Sequence, residues 1–493
     1  MVTKVSGVVS DWDLLSFDGA KIRLHWFPTP QAGAARPAPT VLMGPGWGLA
    51  GDTNTTGVAL LGSVTIKTLQ DAGYNVLTWD PRGFGESGGT VEIDNANFEG
   101  RDVEALLDWV ATRPEAQLDA PGDPRVGMVG GSYGGGIQLV AAAIDCRIDA
   151  IVPEIAWHSL TTSLYKADTA KLGWASLLQR ETAGHRVDPH IPASYQASLN
   201  TGTVSAASLR FFASRGPANL LARITVPTLL VQGTVDNLFT LDEAIANYRV
   251  LRQRPAPTAM LWYCGGHGVC LTNPGDTTRV KNATVAWLNR YVKRDSTVAT
   301  GSRFDFVDQN GTRYTASDYP LPTGHPITAA GAGVLTLTAA GGSGPAHPPA
   351  NSPDPLAGVA GPITPARATN AVNVSVDAAT AAVIVGAPQL HLAYHGTTPP
   401  GVRPTRVFAQ LVDNTTGLVV GNQVTPIAVT LDGRAHQVSV PLETVAFTAH
   451  PGVPLTLQLV ATTIAYAPPR LGGTIHVDRV TVSLPVASGL TPK

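Results

Sequence analysis

Apolar residues follow two different rhythms along the chain. Over 1–295, short apolar runs alternate with stretches of helical spacing. The runs at 14–17 and 22–27 flank Asp18-Gly19-Ala20 and predict an opening hairpin. Apolar runs at 40–43, 75–79, 126–129, 148–152, 228–231 and 259–263 predict further strands. Helical spacing predicts helices over 60–72, 102–111, 137–144 and 284–292; in the second, Val103, Leu106, Leu107 and Val110 share one face. Strands alternating with helices predict a parallel sheet covered on both faces.

Residues from about 156 to 222 interrupt this rhythm with Trp157, Tyr165, Trp174, Tyr195, Phe211 and Phe212, and with a helical pattern over 164–179. An insertion of that size is too long for a simple loop and predicts a helical lid. Residues 321–370 hold 9 Pro and 8 Gly but only two formal charges, Asp354 and Arg367. This composition predicts a linker or irregular border, with a strand near 334–338. From 371 onward short runs alternate or stay apolar, at 407–412, 424–430, 437–440, 455–460 and 474–484, with turn residues such as Asp432-Gly433 between them. That pattern predicts a sandwich or jelly roll. The expected organisation is therefore an α/β domain over 1–295, a Pro/Gly-rich border over 296–370 and an all-β domain over 371–493.

Composition narrows the function. Gly plus Pro make 51 + 39 = 90 of 493 residues, and charged residues are 14%, against roughly 25% in ordinary domains. The net charge of -2 argues against a nucleic-acid binder that depends on an overall positive charge. No apolar stretch reaches the ~18 residues of a membrane span. Residues 1–20 carry Lys4, Asp11, Asp13 and Asp18 and no apolar run, so no signal peptide is read there. A chain trimmed of its leader would look the same, so both a cytoplasmic and a secreted protein stay open. Oligomeric state is not legible.

One motif carries chemistry. Gly130-Gly131-Ser132-Tyr133-Gly134 contains G-x-S-x-G between a strand and a helix, the context of a nucleophile elbow. Serine needs a base backed by a carboxylate, in the chain order Ser, Asp or Glu, His. Asp236 lies just past the run at 228–231, at the sheet end where open α/β folds place their sites. Asp242 and Glu243 compete, but at a helix start a capping role suffices for them. His267, in Cys264-Gly265-Gly266-His267-Gly268, follows what reads as the last sheet strand on a loop able to carry the imidazole over the sheet edge. The oxyanion donors expected are the backbone N–H groups of Tyr133 and of Trp47, because Pro45 has none. Asp80 and Arg82, in Asp80-Pro81-Arg82-Gly83, are expected to tie down a tight loop. There is no phosphate loop and no His/Cys cluster at zinc spacing, so neither cofactor nor metal is expected.

The loop Gly44–Gly48, the loop Asp80–Ser87, the elbow, Asp236 and His267 together resemble the α/β-hydrolase superfamily. With a lid and a trailing all-β domain, the chain more narrowly resembles the X-prolyl dipeptidyl peptidase and cocaine esterase (CocE/NonD) family of serine hydrolases. The resemblance implies acyl transfer to Ser132 and then to water, and a jelly-roll domain packed on an α/β-hydrolase core. Cocaine esterase places a tyrosine hydroxyl just after the proline of the first loop; here Pro45-Gly46-Trp47 offers a backbone donor in its place.

The substrate expected is a small-molecule ester, amide or peptide. An X-Pro dipeptidyl aminopeptidase needs a carboxylate for the substrate ammonium, yet Glu154, Asp168, Glu181 and Asp188 sit in no motif for amine capture. The nameable pocket residues are Trp157, His158, Tyr165 and Trp174, beside Trp47 and Tyr133, and mostly aromatic walls favour an uncharged acyl group. A carboxylic-ester hydrolase is thus the expected activity. The alternatives are the X-Pro peptidase, an acyltransferase and a binding protein on the same scaffold. Three cysteines are too few for a disulfide scaffold. Cys264 and Cys270 bracket His267 and are expected to pair if the protein is exported and to be reduced in a cytoplasmic enzyme. Cys146 is expected to be a free core thiol.

Overall fold

The strands read from the first rhythm line up in one sheet of eleven strands. The computed structural model describes residues 2–4, 11–57, 62–343, 368–400, 405–467, 471–490 and 492–493. The sheet starts with the antiparallel strands Val2–Lys4, Asp11–Leu15 and Lys21–Phe27, the last pairing with Asn75–Trp79. From Asn75–Trp79 onward it is parallel, through Thr40–Met43, Val126–Gly131, Ile148–Glu154, Thr228–Gly233 and Thr258–Tyr263. Pleating sends Leu42, Leu77 and Met128 into one core with Leu106, Ile137 and Ile245. It sends Val41, Val76 and Val129 into another with Ile66, Trp287 and Leu288. Burial on both faces is why these strands read as continuous apolar runs.

Four sequence expectations are corrected. The helix read at 60–72 spans Ile66–Asp71, because Thr65 accepts a hydrogen bond from the Thr68 N–H at 3.1 Å and starts it there; residues 60–61 lie outside the described residues. The helix read at 164–179 is broken. Ala167 and Asp168 take left-handed conformations (φ 46° and 52°), Tyr165–Lys166 pairs with Thr169–Ala170, and the helix proper is Leu172–Glu181. The strand before His267 is not the last in the sheet, since Phe304–Val307 adds parallel to it and Arg313–Ala316 antiparallel beyond. Finally, the stretch read as border contributes those two strands and Ile327–Thr336, which pairs with Thr474–Leu484; its residues 344–367 lie outside the described residues.

The C-terminal unit is all-β. Ile327–Thr336, Thr474–Leu484, Gln389–Thr397 and His436–Pro441 form one antiparallel sheet. Ala371–Val376, Leu455–Val460 and Thr405–Asp413 lead the other. Leu335, Leu392 and Val480 from the first meet Val374, Ile427 and Leu457 from the second in a shared core. The chain thus has an α/β-hydrolase core with a helical lid and a following β-sandwich.

Candidate active site

The strand Val126–Gly131 turns sharply into the helix Tyr133–Ile144 at Ser132 (φ 56°, ψ -115°). A non-glycine residue held there is strained, and such strain gathers at functional sites. The turn is possible because the loop after Thr40–Met43 lies directly against it. A Cβ on Gly134 would sit 2.1 Å from the Gly44 carbonyl oxygen, and one on Gly130 2.5 Å from the same atom. Tyr133 opens the helix, so its N–H has no partner within it.

His267 reaches Ser132 from the far side, with Nε2 2.8 Å from Ser132 Oγ. Its Nδ1 lies 2.7 Å from Asp236 Oδ2, and its backbone N–H donates to the same oxygen at 3.1 Å. The other oxygen, Asp236 Oδ1, accepts the N–H groups of Leu238 and Phe239 at 3.0 and 2.9 Å. Asp236 is fully buried, and Gly266 (φ 131°) lets the histidine loop cross it, since a Cβ there would lie 2.5 Å from Asp236 Cβ. Phe239 and Trp174 meet the imidazole edge-on at 5.1 and 5.7 Å. The loop bearing His267 is closed by a Cys264–Cys270 disulfide.

The acid loop is held by groups distant in sequence. Buried Lys171 of the lid donates from Nζ to the Leu238 carbonyl at 2.9 Å. Burial pulls its ammonium down to about 8 against the opposing charge of Glu443. Gln423 of the C-terminal unit donates to the Asp236 carbonyl at 2.8 Å. Glu443 accepts from Thr240 Oγ1 at 3.0 Å and pairs with Lys166 at 2.6 Å. Asp242 and Glu243, read as helix-start caps, bind elsewhere: Asp242 to Thr444, and Glu243 to the N–H groups of His158 and Ser159. None of these ties has a local sequence signal.

A cavity of about 110 Å³ opens beside Ser132. Of the residues expected around the substrate, Trp47, Tyr133, Trp157 and Tyr165 line it. His158 and Trp174 do not: the first is turned to Asn247 (3.0 Å), and the second donates its indole N–H to Asn237 (2.8 Å). Residue type suggested both, but contacts outside the cavity decide their places. The Trp47 indole donates to the Leu178 carbonyl at 3.0 Å and packs on Tyr133 and Phe84. Glu154 is buried against the elbow but does not line the cavity: its carbonyl accepts the Ser132 N–H at 2.9 Å and its carboxylate accepts the Ser63 N–H at 3.1 Å.

The loop after Asn75–Trp79 is structural. Asp80 accepts the N–H groups of Gly51 and Glu86 at 2.8 and 2.7 Å, and Arg82 forms a two-bond fork with Asp102, each bond 2.7 Å. Cys146 is corrected: it is exposed, just beyond the elbow helix. Among the described residues, no group of three or more His, Cys, Asp or Glu side chains is arranged to hold a metal ion, and no helix is long and apolar enough to cross a membrane.

Behind the elbow, sequence reading missed a buried acidic pair. The Tyr133 hydroxyl donates to Glu99 at 3.3 Å and accepts the Asp94 N–H at 3.3 Å. Both Asp94 carboxyl oxygens are buried without a partner. Burial, then the charge of Glu99, pushes Asp94 well up, and burial pushes Glu99 up to about 7. An acid whose folded pKa exceeds its unfolded value costs no stability below the unfolded value, near 4. Stability is then lost as pH rises from there through the folded pKa. Asp94→Asn removes this titration, so its melting temperature should gain on wild type as the pH rises above the unfolded value of about 4. Thermal denaturation across that range checks it, and a difference independent of pH refutes the assignment.

The fold has counterparts among known proteins. The fold matches, over 97% of this chain and 93% of the other, a CocE/NonD family hydrolase from Staphylococcus aureus (TM-score 0.67, 13% identity). It also matches an aminopeptidase from a marine sediment Thaumarchaeota archaeon over 97% and 96% (TM-score 0.69, 12% identity) and an alpha-amino acid ester hydrolase over 99% and 96% (TM-score 0.67, 14% identity). At such identities these show the fold. Among curated relatives, the polyketide transferase grgF of a Penicillium species is 28% identical over 144 residues, 29% of this chain and 43% of that protein, so the chain spans under half of its length. Residues 18–269, more than half the chain and containing Ser132, Asp236 and His267, match the model of the X-Pro dipeptidyl-peptidase (S15 family), and the chain belongs to that family of hydrolases.

Proposed function

We propose that this chain is a serine hydrolase that cleaves carboxylic esters, with amides as a second class, through an acyl-enzyme on Ser132. The observation that carries this is the continuous relay of 2.8 Å from Ser132 Oγ to His267 Nε2 and 2.7 Å from His267 Nδ1 to Asp236. His267 takes the Ser132 proton as Oγ attacks the acyl carbonyl, and Asp236 holds the imidazolium that forms. The N–H groups of Tyr133 and Trp47 receive the oxyanion, each such donor being worth roughly 3 kcal/mol in the transition state. Collapse expels the alcohol, protonated by His267; water then repeats the sequence and frees the acid.

The cavity supports an ester over an X-Pro dipeptide. A free α-ammonium needs a fixed carboxylate, and no Asp or Glu is among the described residues lining it. Glu154, Asp168, Glu181 and Asp188 are all outside that lining. A fluorophosphonate should label Ser132, and kcat/KM on p-nitrophenyl butyrate should exceed that on a Gly-Pro anilide by tenfold or more. If the anilide is preferred and blocking its amine abolishes cleavage, the peptidase reading replaces this one.

A further inference from the structure

Behind the relay from Ser132 to Asp236 stands a charged residue that the chemistry described above does not use. Lys171 precedes the lid helix Leu172–Glu181 and is 2% exposed. A buried ammonium is costly unless it is paired. Among the described residues Lys171 forms no direct ion pair, since Glu443 is paired with Lys166.

Its one strong contact leads to the acid. Lys171 Nζ donates to the Leu238 carbonyl at 2.9 Å. That carbonyl shares a peptide group with the Phe239 N–H, which donates to Asp236 Oδ1 at 2.9 Å. A single peptide thus stands between an ammonium and the catalytic carboxylate, each of its ends bonded to one of them. A cation on the carbonyl polarises the peptide and strengthens the bond that its N–H gives. The line continues from Asp236 Oδ2 to His267 Nδ1 at 2.7 Å and from His267 Nε2 to Ser132 Oγ at 2.8 Å. Holding Oδ1 is what turns Oδ2 to the imidazole. The same lid helix holds this loop again three residues on, where Trp174 donates to Asn237 at 2.8 Å and meets His267 edge-on. It then lines the cavity through Ala175, Leu178 and Gln179.

We propose that Lys171 is a positioning residue for the reaction: acting through the Leu238–Phe239 peptide, its ammonium fixes the Asp236 carboxylate against His267 and ties the seating of the lid to the aim of the acid. The proposal rests on the hydrolase reading above. The groups facing the ammonium are Glu443, which is bonded to Asp242, and the Tyr466 ring from the sandwich, Lys166 from the lid hairpin, Glu243 from the helix Leu241–Leu251, and Asp236 itself. Burial, against the charge of Glu443, brings Lys171 down to about 8. It is therefore charged at pH 7, and the charge-assisted hold is lost as the pH rises through about 8, because a neutral amine gives a weaker bond.

The test follows kcat on p-nitrophenyl butyrate from about pH 6.5 to pH 9.5, per site labelled by a fluorophosphonate, for wild type and for Lys171→Met, which keeps the length of the side chain and removes donor and charge. Wild-type kcat should fall about fivefold or more, centred near pH 8. At pH 7 the variant should lose about fivefold or more in kcat with KM within about threefold, and its alkaline fall should be gone. A residue that only supports the fold would change the number of labelled sites and leave the pH profile per site as it was. A variant kcat within fivefold of wild type, or an alkaline fall that survives the substitution, overturns the proposal. If the variant does not fold, the wild-type profile decides: a fall near pH 8 upholds the proposal and a flat kcat overturns it. None of these outcomes touches hydrolysis itself; only absence of turnover on every ester together with no fluorophosphonate label on Ser132 removes the underlying reading.

Discussion

Ser132→Ala is expected to keep the fold and to lose on the order of 10⁶ in kcat on p-nitrophenyl butyrate, the scale seen when a triad serine is removed. The variant keeps Cβ, so the packing of Gly44 against Gly134 and the strained turn are untouched; the one hydrogen bond of Oγ, to His267, is lost. Circular dichroism and the melting temperature should match wild type while initial rates collapse. Turnover above a tenth of wild type would show that some other group attacks the ester.

Asp236→Asn is expected to cost about 10⁴ in kcat, and the hydrogen bonds say why. Oδ1 accepts two backbone N–H groups, from Leu238 and Phe239, so an asparagine must keep its oxygen there. Its amide nitrogen then replaces Oδ2, where it faces His267 Nδ1 and the His267 N–H. A donor opposite Nδ1 forces the imidazole proton onto Nε2, and Nε2 can no longer accept from Ser132. The loss should fall on kcat at every ester chain length. A decrease of less than tenfold would mean that Asp236 does not set the tautomer.

Much of the core was legible because its signals are local. An apolar run buried on both faces marks its own strand, as at Thr40–Met43 and Asn75–Trp79, and glycines spaced around Ser132 mark a turn that larger residues would obstruct. Asp236 and His267 followed from chain order after two such strands. What escaped depends on partners far away in sequence. The break at Ala167 and Asp168 is stabilised from outside the segment, with Arg406 donating to Thr169 Oγ1 and to the Asp168 carbonyl, both at 2.6 Å. Trp174 and His158 are aromatic residues in the lid like Tyr165, but bonds to Asn237 and Asn247 turn them from the cavity. The Asp94 and Glu99 pair has no motif, since its character arises from burial that only the folded chain supplies.

Through Gln423 and Glu443 the β-sandwich holds the loop that carries Asp236, the partner of His267. The peptide of Asp236 is gripped on one side by Gln423, and Glu443 bonds Thr240 four residues on. Replacing the sandwich by one from another protein would leave the Asp236 carbonyl and the Thr240 hydroxyl without these partners, even with every residue of the α/β core intact. A graft of either part must therefore carry the acid loop, the lid base around Lys166 and Lys171, and these sandwich residues as one unit.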